Sequence, residues 1–163
     1  MDKCLKESLN KVPSHWKKQS KIYGEACEFW ISDNYSCPVC EHGALLKLKA
    51  NMKSIDHECL KCGELFQVKA SKNSFLKRDG SIGFLGAEYK TTVGSINNEN
   101  KWNLILVEYD KNNSEINRVG VILKNDIAKE NVIPRNPLGP NARRAGWQGC
   151  NFKFDYNVVS FSS

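Results

Sequence analysis

Residues 37–70 read CPVCEHGALLKLKANMKSIDHECLKCGELFQVKA, and two Cys-x2-Cys knuckles frame the stretch, Cys37 with Cys40 and Cys59 with Cys62. Thiolates at this spacing suit one tetrahedral zinc ion with bonds of about 2.3 Å, each short loop bringing two sulfurs to the metal. The alternative is four buried cysteines that only pack. Four sulfurs leave no open coordination position, so such a zinc is structural. Between and after the knuckles the pattern turns to strands. Ala44 to Ala50 alternates leucine and lysine, and Ile55–Glu58 and Leu65–Ala70 flank the second knuckle as a hairpin. Asp56 lies on the entering strand. Gln67 and Lys69, two apart on the leaving strand, project to one face. An Asp, a second oxygen ligand and a Lys at strand ends suit phosphodiester hydrolysis. Oxygen donors hold Mg²⁺, the metal activates water, and the lysine stabilises developing charge. The alternative is three exposed strand residues. His57-Glu58 superficially resembles the H-x-E element of zinc deaminases, but it falls between the cysteine pairs, whereas that chemistry needs it ahead of both.

The chain around this stretch has 163 residues, 40% hydrophobic and 26% charged, as expected of one globular domain and not of a collagen-like or disordered chain. No apolar run approaches the roughly 18 residues that span a bilayer, and the polar N-terminus has no apolar signal region, so a cytoplasmic protein without membrane association is expected. The formal charge of +6, lowered to about +4 by a zinc with four thiolates, favours a polyanionic partner. Seven cysteines without a signal peptide argue against a disulfide framework; Cys4, Cys27 and Cys150 are expected to pack. Residues 1–18, lysine-rich and interrupted by Pro13, read as a flexible basic arm ahead of a single domain over 19–163. Gln19–Trp30 has helical apolar spacing. A loop is expected over Ser71–Gly83 and a helix from Phe84 to about Ser95. Trp102–Tyr109 reads as a buried central strand, Asp110–Ser114 as a turn and Val119–Leu123 as the returning strand. A short helix near Asp126, a loop over Asn131–Asn151 and a strand over Phe152–Phe161 complete an α/β or α+β domain.

The loop holds a second constellation. Residues 136–151 read NPLGPNARRAGWQGCN, and Arg143 and Arg144, two of the five arginines, stand side by side. Prolines and glycines around them shape a defined loop. Arginines suit phosphate oxygens or base edges, and Trp147 offers a flat face for stacking on a base. The alternative is a surface loop with Trp147 tucked into the core.

With these residues assembled, the chain resembles the methyl-adenine-directed restriction endonucleases of the DpnI or Dam-replacing type from about Ser20 to Phe154. The likeness rests on the knuckles CPVC and CLKC, on ELFQVKASKNSF and above all on NPLGPNARRAGWQGCNF. Glu28-Phe29-Trp30 before the first knuckle and the Asp79-Gly80 turn agree with it. It implies a restriction-endonuclease-like PD-(D/E)xK core with an inserted Cys4 zinc element over 37–62. In that pattern Asp56 is the first Mg²⁺ ligand and Lys69 the catalytic lysine. Gln67 stands where an acidic ligand is usual, which weakens Mg²⁺ binding; Glu28, Glu64 and Glu88 are candidates to compensate. Arg143, Arg144 and Trp147 would form part of the DNA-reading surface, Trp147 against the methyl group of N6-methyladenine, whose burial is worth about 0.8 kcal/mol. The implied cofactors are a structural Zn²⁺ and a catalytic Mg²⁺. The implied partner is double-stranded, adenine-methylated DNA; the chain itself is expected to be a monomer and, unlike some members of the family, to lack a winged-helix domain. Two other readings stand beside this one: a decayed nuclease that only binds methylated DNA, and an RNA-binding or general zinc-ribbon protein.

Overall fold

The computed structural model describes residues 1–49, 52, 55–98 and 102–162. The chain divides into two compact units, one of Met1–Ser74, Trp102–Val121 and Ser160–Ser163, the other of Phe75–Lys101 and Ile122–Val159.

In the first unit the run NLILVEYD forms β5 (Asn103–Asp110), buried at every position but the last. Parallel to it runs β3 (Leu65–Ser71), with Phe66 opposite Asn103 and Lys69 opposite Leu106. Beyond β3 lie β2 (His57–Cys59) and β1 (Leu45–Lys47), both antiparallel. β6 (Glu115–Ile122) and β9 (Ser160–Ser162) complete the sheet in the order β1-β2-β3-β5-β6-β9. Helix α2 (Gln19–Asn34) runs four residues past the expected end and buries Tyr23, Ala26, Cys27, Trp30 and Ile31, a stripe at helical spacing. That stripe shares a core with Phe66, Val68, Ile105 and Val107. The N-terminal segment, read as a flexible arm, is tied down. Leu5 is wholly buried in the same core, the Leu5 N–H donates to the Ser114 carbonyl at 2.8 Å, and the Ile116 N–H donates to that of Lys3 at 2.8 Å. The Trp30 indole donates to the Asp2 carbonyl at 2.9 Å, and α1 (Lys6–Asn10) packs on α2. One apolar anchor outweighs the surrounding lysines.

The second unit is a three-stranded antiparallel sheet ordered β4-β8-β7, of β4 (Ser81–Glu88), β7 (Val132–Pro134) and β8 (Gly149–Asp155), with α3 (Tyr89–Asn97) against it. Phe84 stacks on Phe152 at 5.1 Å between centroids and on Phe154 at 6.0 Å. Two expectations are corrected here. The helix expected from Phe84 starts at Tyr89, because Phe84 pairs with Phe152 across the ladder and Gly86 lets β4 lie flush: a Cβ there would stand 2.5 Å from Cys150 Sγ. The single strand expected over Phe152–Phe161 is two strands in different sheets, β8 and β9, separated by a 3-10 turn at Tyr156–Val158. Smaller differences are a returning strand that begins at Glu115 and a loop over Asn131–Asn151 that contains β7. Ala50, the end of the strand expected from Ala44, lies outside the described residues. The architecture is mixed α+β. Among the described residues no helix is long and apolar enough to cross a membrane.

Candidate active site and metal centre

The two knuckles bring their sulfurs together. Cys37 Sγ lies 3.8 Å from Cys62 Sγ and Cys40 Sγ 3.6 Å from Cys59 Sγ, and all four are within 4.8 Å of one another. A tetrahedron with zinc–sulfur bonds near 2.3 Å separates its sulfurs by about 3.8 Å, so the donor set fits zinc. Local backbone chemistry shapes the cradle. The Cys37 N–H donates to the Gly43 carbonyl and the Glu41 N–H to the Cys37 carbonyl, both at 2.8 Å. Glu41 and Gly63 take the left-handed conformation, at φ 64° and 74°. Gly43 has no room for a side chain, since a Cβ would sit 2.2 Å from Cys59 Sγ. Burial pushes the Cys37 thiol up to about 12. At Cys59 burial acts the same way, but the N–H groups of Cys62 and Lys61 outweigh it and bring the thiol down to about 6. A bound metal ionises its thiol ligands outright. Cys27 and Cys150 are buried elsewhere, in keeping with a packing role.

The hairpin next to this cradle carries Asp56. Its N–H donates to the Phe66 carbonyl and its carbonyl accepts from the Leu48 N–H, both at 2.8 Å. Its Oδ2 accepts the Val68 N–H at 2.7 Å. The carboxylate therefore stands in for a strand carbonyl where the β2–β3 ladder ends. Burial raises the pKa of Asp56, opposed by the Val68 N–H and by the positive charges of Lys69 and Lys47. Lys69 is thus within electrostatic reach of Asp56. Gln67 and Lys69 share the face of β3 opposite Phe66 and Val68. Gln67 is buried, 7% exposed, and Lys69 is half-buried.

A polar cleft of about 170 Å³ opens at Asp56, lined also by Glu25, Glu28, Lys47, Lys49 and Ile55. Lys47 Nζ bridges Glu25 Oε1 at 2.8 Å and Glu28 Oε2 at 3.0 Å. Burial pushes Glu28 up to about 7, helped by the negative charge of Asp56 and opposed by Lys47. Of the carboxylates suggested from sequence, Glu28 is the one beside Asp56. Glu64 accepts from Asn103 Nδ2 at 2.9 Å, and Glu88, in the second unit, accepts from Thr91 Oγ1 at 2.9 Å. Sequence reasoning missed Glu25 and Lys47. The signal was there in the three-residue spacing of Glu25 and Glu28, which puts both on one helix face. Among the described residues the four cysteines are the one group of three or more His, Cys, Asp or Glu whose ligand atoms converge as closely as a metal requires. Asp56, Glu25 and Glu28 line one cleft without converging to that degree.

In the second unit the loop between β7 and β8 is held by its own backbone. The Leu138 N–H donates to the Trp147 carbonyl and the Gly146 N–H to that of Leu138, both at 2.9 Å. Gly146, at φ 79°, makes the turn. Trp147 is half-buried against Gly149, where a Cβ would lie 3.0 Å from the indole, and the Arg144 guanidinium stands 4.5 Å from the ring centroid. Arg143 and Arg144 are exposed. The tryptophan is neither a core residue nor a free platform; an arginine rests on it. Compared with known protein families, the chain matches the family model described as DpnI, the Dam-replacing family, over residues 5–157, nearly its whole length.

Proposed function

We propose, since this chain belongs to the DpnI or Dam-replacing family, that it is a restriction-type endonuclease hydrolysing phosphodiester bonds in adenine-methylated duplex DNA, built on a PD-(D/E)xK core. The observation that carries the reading is Asp56 held at the end of the β2–β3 ladder within electrostatic reach of Lys69. Asp56 and the Gln67 side-chain oxygen would hold Mg²⁺, with waters completing the shell. When bound, the ion supplies Lewis acidity and a water of lowered pKa. Lys69 stabilises charge developing on the phosphate oxygens. Glu28 adds negative charge that Gln67 does not supply, and Lys47 fixes Glu25 and Glu28 against the strand. The cysteine-bound zinc holds the hairpin that carries Asp56. Arg143 and Arg144 contact DNA, and Trp147 meets the adenine methyl group. The enzyme works as a monomer in the cytoplasm of a bacterial or archaeal cell.

The test is a digest of one plasmid prepared with and without adenine methylation, across Mg²⁺ and Mn²⁺ concentrations, by the wild type and Lys69→Ala. The wild type is expected to cut the methylated plasmid and the variant to leave it intact. Equal nicking by both proteins removes Lys69 from the mechanism. The neutral Gln67 favours a second reading, a methylated-DNA-binding module without cleavage. It predicts retention of methylated duplex with no product at any concentration of either metal.

A further inference from the structure

His57 follows Asp56 in the chain and is wholly buried. It sits in one row of the ladder, with Lys47 of β1 on one side and Phe66 of β3 on the other. Residues opposite one another in an antiparallel pair project to the same face, and α2 packs on β1 and β3 over that face. Both polar members of the row reach the helix at one residue. Lys47 Nζ meets the Glu28 carboxylate at 3.0 Å, and His57 Nε2 donates to the Glu28 carbonyl at 2.9 Å. That carbonyl lies inside α2, where the N–H four residues on takes one lone pair, so the imidazole takes the other.

The other ring nitrogen, Nδ1, is buried and has no hydrogen-bond partner among the described residues. A buried polar atom left unpaired disfavours folding, whereas an apolar group of similar shape in its place is neutral or stabilising. Packing alone therefore favours phenylalanine at this position. What the imidazole supplies and phenylalanine does not is a directional bond from strand to helix at Glu28. Packed helices slide over their neighbours by small shear motions. A hydrogen bond to one helix carbonyl opposes that motion, and here it does so at the residue whose carboxylate shares a cleft with Asp56.

We propose that His57 is a positioning residue: its bond to the Glu28 carbonyl holds α2 at the height and rotation that set the Glu28 carboxylate beside Asp56. The proposal rests on the reading that Asp56 and Glu28 supply charge to a divalent ion. The test uses the whole chain, zinc-loaded, as wild type, His57→Phe, His57→Gln, Glu28→Gln and the double variant Glu28→Gln/His57→Phe. Mn²⁺ binding is followed by electron paramagnetic resonance and stability by the urea midpoint, and neither needs DNA. His57→Phe is expected to keep its zinc, to unfold at the same or a higher urea concentration, and to bind Mn²⁺ about tenfold more weakly. His57→Gln, with an amide N–H to offer the same carbonyl, is expected to recover most of that affinity. In the Glu28→Gln background, itself weakened, His57→Phe is expected to change the affinity by less than about twofold, because His57 acts through Glu28. Unchanged Mn²⁺ affinity in His57→Phe, no recovery in His57→Gln, or an equal loss with and without the Glu28 carboxylate overturns the proposal. Lost zinc or a lowered urea midpoint in His57→Phe also overturns it, by making the imidazole a structural residue. Failure of the nuclease reading looks different: a wild type that binds Mn²⁺ and never cuts methylated plasmid leaves the His57 result intact. A wild type that binds no Mn²⁺ removes the metal site, and this proposal with it.

Discussion

Asp56 has one oxygen engaged by the Val68 N–H at 2.7 Å, so its remaining acceptor capacity is what a metal would use. The neighbouring position, Gln67, offers a carbonyl oxygen without charge. Gln67→Glu adds one negative charge at the proposed Mg²⁺ position, and the Mg²⁺ concentration for half-maximal cleavage is expected to fall about tenfold, a gain of roughly 1.4 kcal/mol. A metal titration of cleavage rate checks this, and an unchanged midpoint would place Gln67 outside the metal shell. Glu28 gives a pH prediction. Its pKa is about 7 in the fold against an ordinary 4.5, so between those values the native protein holds more protons than the unfolded chain. The Glu28 contribution to stability therefore falls as pH rises through that window and levels off above it, against the rise that buried His57 contributes between about 4 and 6.5. The gap is worth at most about 3 kcal/mol, reduced by solvent at a side chain 21% exposed. Glu28→Gln should remove this falling contribution, so that the variant gains stability relative to the wild type as pH rises from about 5 to about 7.5. Urea midpoints of both proteins at about pH 5 and about pH 7.5, in zinc-loaded, Mg²⁺-free buffer, measure it. Parallel lines for the two proteins would place the ionisation elsewhere.

At the scale of elements, two glycines do opposite jobs. Gly43 closes the knuckle over the sulfurs, and Gly86 lets β4 lie flat against Cys150 and Phe152. Gly43→Ala forces a methyl group into Cys59 Sγ, so the purified protein should carry less than one zinc and lose the β1–β2 hairpin. Gly86→Ala should retain its zinc and lose about 1–3 kcal/mol by overpacking. Zinc stoichiometry with denaturant unfolding separates the two, and a full zinc complement in Gly43→Ala would show that the loop yields. The same contrast explains what was legible in the sequence. The knuckle spacing, the apolar stripe of α2 and the continuous apolar run of β5 each carry a local signature. The strand at Phe84 does not: its conformation follows from Phe152 and Cys150, more than sixty residues away, and Gly86 looks like any glycine until they are in place. Leu5 was unreadable for a like reason, since its partners are Ser114 and the α2 core. In the candidate site the Asp56, Gln67 and Lys69 pattern was visible through strand alternation. Lys47 was hidden in a leucine–lysine repeat, where nothing distinguishes the lysine that meets Glu25 and Glu28 from its solvated neighbours.

For the whole molecule, the formal charge of +6 gives attraction to any polyanion, so affinity alone says little about recognition. The two arginines of the β7–β8 loop and Trp147 separate the two contributions. Arg143 is exposed on the loop, and its proposed contact is with the DNA backbone. Arg143→Ala should weaken methylated and unmethylated duplexes alike and lower the salt slope by about 1. Arg144 rests on the Trp147 ring, so its loss should also loosen the indole. Trp147→Ala removes the apolar face itself. Burial of one methyl carbon is worth about 0.8 kcal/mol, which corresponds to roughly a fourfold preference per methyl group. The preference for methylated over unmethylated duplex should therefore fall by about that factor in Trp147→Ala while the salt slope stays unchanged, and Trp147→Phe should keep part of it. Fluorescence anisotropy with paired methylated and unmethylated duplexes at several salt concentrations reads both quantities at once. A Trp147→Ala protein that keeps its methyl preference, or one that changes only its salt slope, would make the tryptophan a prop for Arg144 and move methyl recognition to another part of the chain.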